Sequence, residues 1–342
     1  MEPGPSDQPP PRPPRRVSRL VATCIKIGLG LLLLVALVHY GSIDLGSMRG
    51  LVQQPGAVAA SAFLLLLTLP LAALRWSFSL RILGLPLPWM TLLHVQAIAS
   101  FSAQFLLGTA SADAVRGIYA WRALGGNSPR IALSLIADRA LSLAALIVLT
   151  LLFMLLRWDR VSTVAPLMAL LVSVLLAFAA TVVGALALLI APNVLDRLQP
   201  LLTGRPRLAA LLSQVGAVIL AFRRNLPTAA AAFAAALVGG TINILAIAVL
   251  AAALQVGSLG MLDYLVATPL AMLANALPLT PGGLGVGEVA FDRVCTWLDV
   301  TRSGAGYAGA FFAFRAVSMV VMLVGLVSFI VHRADPVRTS AN

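Results

Sequence analysis

The chain has 342 residues, 60% of them hydrophobic and 11% charged, with a mean hydropathy of +0.97. Soluble domains carry about 45–50% apolar and about 25% charged residues, so this composition excludes an ordinary soluble globular protein. The formal net charge is +12, but the basic residues stand in tails and between apolar runs, as topology signals do; nucleic acid is not expected as a partner.

Residues 1–19, opening "MEPGPSDQPPPRPPRR", are Pro-rich and polar and are expected to form a disordered cytoplasmic tail. Arg12, Arg15, Arg16 and Arg19 precede an apolar run from Leu20 to Tyr40. The run is longer than a signal-peptide core and no clean cleavage site follows, so it reads as a first membrane helix entered from the cytoplasm. Further apolar segments follow at 57–74, 89–108, 131–156, 162–191, 227–254, 261–280, 284–298 and 304–331. Several reach the length of about 20 residues that spans a hydrocarbon core of about 30 Å. Trp76, Trp89 and Tyr40 at span ends read as interfacial anchors.

Charge then constrains the path. Arg75 and Arg81 follow the second span, and Arg197, Arg205, Arg207, Arg223 and Arg224 crowd the loop 192–226, so both loops are expected to be cytoplasmic. Three apolar segments lie between them, an odd number, so one cannot be a simple crossing. The segment 89–108 ends in "FLLGTASADAVR"; if it turns near Gly108 and goes back, then Arg116, Arg122 and Arg130 stay on the cytoplasmic side. Downstream, 261–280 meets the break "LTPGGLG" and 284–298 climbs back out. The expected fold is all-α: about six full crossings and two oppositely oriented re-entrant hairpins, forming an inverted repeat of the kind found in transporters. Residues 20–331 make the membrane domain, with 193–222 as a cytoplasmic amphipathic connector and 332–342 as a second cytoplasmic tail. The near absence of Lys (Lys26 alone) beside abundant Ala reads as GC-rich bacterial coding, hence a bacterial inner membrane.

The breaks carry the chemistry. Pro281 lacks an N–H, and Gly282, Gly283, Gly285 and Gly287 allow unusual dihedrals and close backbone approach. Non-helical backbone at membrane depth survives only against protein or a water-filled cavity. An acid follows each break, Asp113 and Glu288, and an Arg stands 26 and 27 residues after it, Arg139 and Arg315. With Arg116 and Asp138, these are the candidate substrate-binding residues. Two readings stay open for them: fixed ion pairs that orient helices, or guanidiniums available to a lipid phosphate, which their planar fork matches. For Glu288 a helix-capping role is also open. Arg116, Arg122 and Arg130 read equally as interfacial anchors or headgroup contacts. The glycines do not follow a strand and do not meet dinucleotide spacing. Cys24 and Cys295 form no pair motif, and His39, His94 and His332 are scattered, so no metal and no cofactor is expected. The acids Asp44, Asp159, Asp263 and Asp299 read as isolated residues of external loops, which argues against an enzyme.

"LPLTPGGLGVGEVAF", followed by Arg315 in "FFAFRAV", resembles the C-terminal signature of the lysylphosphatidylglycerol synthase transmembrane-region, or flippase-like, family. "FLLGTASADAVRGIYAWRALGGNSPRIALSLIADRALSL" is similar to its earlier signature, with Asp113, Arg116, Asp138 and Arg139 at matching places. The resemblance spans roughly 20–331. The first turn lacks the family's proline, Ser111–Ala112 replace its usual glycines, and Gly287 stands where many members carry a basic residue. The resemblance implies movement of a polar-headed lipid, whether phospholipid, aminoacylated lipid or glycolipid, between leaflets. No aminoacyl-transferase domain follows within these residues, and a separately encoded lipid-modifying enzyme is a candidate partner. The alternative is a membrane-embedded accessory subunit or a transferase of lipid or lipid-linked sugar metabolism.

Overall fold

A computed structural model describes residues 52–105, 109–126, 128–190, 206–255, 257–277, 280, 284–301 and 306–334. The tail 1–19, the first predicted crossing 20–40, the break residues Gly108, Pro281, Gly282 and Gly283, and the end of the C-terminal tail lie outside them.

The described residues are helical and contain no strand. In chain order the helices are α1 (Pro55–Ile82), α2 (Trp89–Phe105), α3 (Thr109–Ala123), α4 (Ser128–Leu156), the single turn α5 (Trp158–Val161), α6 (Ala165–Ile190), α7 (Pro206–Arg224), α8 (Leu226–Ala253), α9 (Met261–Ala276), α10 (Val286–Leu298), α11 (Ala308–Met322) and α12 (Val324–Ala334). Five stretches are long and apolar enough to cross a membrane: α1, α4, α6, α8 and the nearly continuous Ala308–Val331. They coincide with five predicted crossings. The first of these five is longer than expected, because α1 continues through Arg75 and Arg81 to Ile82. Arg75 is therefore part of a helix and not of a loop. The expected amphipathic connector is described only as α7, which begins at Pro206 and runs to Arg224.

The central pair is α1 with α8, running antiparallel. Ser61 Oγ donates to the Ala246 carbonyl at 2.8 Å, and a Cβ at Gly239 would sit 3.6 Å from Leu71 Cβ. The Ala/Gly-rich sequence of α8 lets the two backbones approach, as small residues do in membrane helix packing. Around this pair the packing is reciprocal. α2 lies on α1 and α9 on α8; α3 lies on α4 and α10 on α11; α4 reaches across to α8 and α9, while α11 reaches across to α1 and α2. Exchanging the first set of helices for the second leaves the contact pattern the same.

The helices on each side of the two breaks, α2 with α3 and α9 with α10, pack on each other. The pairs open at opposite ends of α4. Arg75, near the end of α1, bonds Asp138 in the first half of α4, so the short connections into α2 and out of α3 lie at the N-terminal end of α4. At its other end Arg157 meets Asp263, in the first turn of α9, at 2.8 Å. α4 has 29 residues, about 43 Å of helix, so the two mouths are a membrane thickness apart.

Candidate functional site

The first charged cluster sits where α1, α3 and α4 meet. Arg75 grips Asp138 bidentately, Nε to Oδ1 at 2.6 Å and Nη2 to Oδ2 at 2.9 Å. Arg116, from α3, reaches the same carboxylate, Nη1 to Oδ2 at 3.0 Å, and lies 3.9 Å from Asp113. Asp113 in turn pairs with Arg139 Nε. The Asp138 side chain is 1% exposed, whereas that of Arg139 is 47% exposed. The Arg116 guanidinium lies over the Trp76 ring, 5.7 Å from its centroid. Trp76 is fully buried and its indole N–H donates to Ser134 at 3.3 Å; the interfacial role read for it from sequence is corrected. Arg116 is likewise buried, so the interfacial-anchor reading falls away for it, while Arg122 and Arg130 are exposed.

The second cluster sits behind the Pro-Gly break. Arg315 Nε donates to Glu288 Oε1 at 2.8 Å and Nη2 lies 3.4 Å from Oε2. Glu288 is completely buried and also accepts the Gly285 N–H at 3.0 Å, so it caps α10 and partners the Arg at once. Gly285 stands at φ 81°, a conformation natural only to glycine among bulky choices. A Cβ at Gly287 would lie 2.7 Å from Asn275 Oδ1 and 2.8 Å from Phe311 Cε1. The absence of a side chain here lets α9 and α11 close over the start of α10.

Residues flanking the two breaks meet on α11. Gln104, two residues before the first break, donates to Ser318 at 2.9 Å, and Ser318 donates to the Arg315 carbonyl. Ser318 and Arg315 are three residues apart, about 4.5 Å along the axis. One turn of α11 thus receives the end of α2 and the acid of the second pair. Counted from the helix ends at the mouths of the two pairs, these charged groups stand about 10–17 Å in.

The sequence left open which acid meets which arginine; in the structure Asp113 pairs with Arg139 and Glu288 with Arg315. Asp138 pairs with Arg75 and Arg116 instead of its neighbour Arg139. Arg75 was missed as a site residue because it closes an apolar run and resembles a topology marker. The polar residues of α2 were missed too. Gln96, Ser100, Ser102 and Gln104 lie in the second half of a mainly apolar helix; Gln96 and Ser102 are buried, and Ser111 Oγ donates to the Ser102 carbonyl. Three acids read as isolated are not: Asp159 and Asp263 pair with Arg157, and Asp299 accepts from Ser258, Thr301 and Tyr307. With Asp292, which caps α11 at Tyr307 and Ala308, they fasten the mouth of the second pair. Among the described residues no group of three or more His, Cys, Asp or Glu could hold a metal ion.

Two hollows border α1. A crevice of about 600 Å³ lies between the end of α1, the start of α4 and α7, with Arg130, Ser213 and Gln214 on its wall. An apolar groove of about 470 Å³ runs between Leu67, Pro70 and Leu74 of α1, Trp89, and Val238 and Ile242 of α8.

Long apolar helices joined by buried ion pairs define a multi-pass α-helical membrane protein. The model of the family described as "Lysylphosphatidylglycerol synthase TM region" matches residues 23–325. The chain belongs to this family, whose model ties it to lipid metabolism at the membrane. No curated protein and no solved structure matches it.

Proposed function

We propose that the protein is a lipid translocator of the bacterial inner membrane, carrying a polar headgroup between leaflets along a path lined by the two charged clusters while the acyl chains stay in lipid. In this reading α2–α3 and α9–α10 are re-entrant hairpins, one dipping from each face. The observation that carries it is the convergence of both on one turn of α11, through Gln104–Ser318 and Glu288–Arg315. Charges at the centre of a membrane helix cost about 2.5 to 17 kcal/mol depending on the measure. Groups of this kind at mid-depth mark substrate paths, and broken helices meeting there mark transporters.

The chemistry is exchange of partners. A guanidinium held by a carboxylate can pass its fork to a phosphate of the same geometry. Arg139, paired with Asp113 and half exposed, is the accessible member, and the apolar groove beside Leu74 suits an acyl chain next to Arg75. No covalent step is required of any residue.

The test uses purified protein in proteoliposomes with a headgroup-labelled fluorescent phospholipid and an impermeant quencher. Wild type should flip the label well above protein-free vesicles, and the double variant Glu288→Gln/Arg315→Gln should lose most of that rate. Rates equal to empty vesicles for phospholipid, aminoacylated lipid and glycolipid alike would contradict the proposal and favour an accessory role beside a lipid-modifying enzyme.

A further inference from the structure

The two clusters differ in a way that bears on what they bind. At the second break one guanidinium meets one carboxylate, and both Glu288 oxygens are engaged. At the first, three guanidiniums (Arg75, Arg116 and Arg139) share two carboxylates, Asp113 and Asp138. The other described acids are committed elsewhere: Asp159 and Asp263 to Arg157, Glu288 to Arg315, Asp292 to the α11 N-terminus, and Asp299 to Ser258, Thr301 and Tyr307. Among the described residues the first cluster therefore carries one unbalanced positive charge.

A second, independent observation falls at the same place. Arg116 Nε is buried and has no hydrogen-bond partner, although the residue is only 8% exposed. A buried unpaired donor on a charged group is costly, and an excess charge at this depth more so. The Trp76 face offsets part of it. What would complete the cluster is one negative charge with an oxygen for Nε.

We propose that Arg75, Arg116 and Arg139, set around Asp138 and Asp113, form a binding site for one singly charged phosphodiester, with Arg116 Nε as a donor to it, and that Glu288–Arg315 is a neutral closed pair that does not take the anion. This deepens the translocation reading and rests on it for the route of the ligand.

The full chain in detergent micelles is titrated with fluorescent phosphatidylglycerol, whose only charge is its phosphodiester, with inorganic phosphate and diacylglycerol as competitors. Wild type should bind one lipid per chain and ignore diacylglycerol. Competition by inorganic phosphate would assign a soluble phosphate as a ligand of the same site, and its failure would assign the lipid as the source; both support phosphate recognition. Arg116→Gln removes the excess charge and should weaken binding about tenfold or more. Asp113→Asn raises the excess and should tighten it. Opposite effects from two neighbours in one cluster are not what misfolding produces. The double variant Glu288→Gln/Arg315→Gln should keep its affinity within about twofold while transport slows. Equal weakening by Arg116→Gln and Asp113→Asn, no change in either, or loss of binding in the double variant would each overturn the proposal. Binding as described without any flipping would sink translocation alone; flipping with an unchanged Arg116→Gln affinity would sink the anion site alone.

Discussion

Glu288 shows what a single buried charge must satisfy inside this apolar bundle. Its side chain is completely buried, yet it accepts from the Gly285 backbone and from Arg315, so neither its charge nor its lone pairs are left over. Removing one member of a buried pair leaves the other uncompensated and costs about 3–5 kcal/mol, while replacing both is far milder. The single variants Glu288→Gln and Arg315→Gln should each lower thermal stability in detergent markedly, and the double variant should recover part of the loss. A strictly additive double variant would mean that the pair does not act as a unit. At this scale the sequence was informative where a charge interrupts an apolar run, as Asp113, Asp138, Arg139, Glu288 and Arg315 do. It was silent for Arg75, because a charge that closes an apolar run looks the same whether it faces a headgroup layer or a buried carboxylate. It misread Trp76 for the same reason.

Elements are held together here by closeness more than by apolar burial, since lipid is as apolar as the helices. α12 and α2 approach closely: a Cβ at Gly325 would meet the Ala97 carbonyl oxygen 2.1 Å away and Phe101 Cβ at 2.6 Å. Backbone cannot step aside as a side chain can. Gly325→Ala should therefore drive α12 off α2 and cost about 1–3 kcal/mol or more, read as a lower melting temperature of the detergent-solubilised protein. Gly239→Ala, at ordinary contact with Leu71 Cβ at 3.6 Å, should leave it nearly unchanged. Equal effects from the two would show that this packing is looser than described. The breaks at "FLLGTASADAVR" and "LTPGGLG" were legible because Gly, Pro and polar residues cannot continue an apolar helix unnoticed. The true ends of α1 were not, because its last two turns carry Arg75 and Arg81 while remaining helical.

For the whole molecule, parity of charged loops predicted two helix pairs facing opposite ways, and the described helices open at opposite ends of α4. The reciprocal packing of the two halves follows from their similar order of long helix, broken pair and long helix. Which helix each broken pair rests on could not be read from sequence, because the cross-contacts depend on small residues such as Gly325 and on polar links such as Gln104–Ser318 that have no pattern of their own. That link is also where function and architecture meet. In a background lacking Cys24 and Cys295, Gln104→Cys and Ser318→Cys joined by a short reversible thiol cross-linker would weld the first broken pair to α11. Lipid flipping in proteoliposomes should stop on cross-linking and return on reduction. Undiminished flipping by fully cross-linked protein would contradict a headgroup path through this convergence.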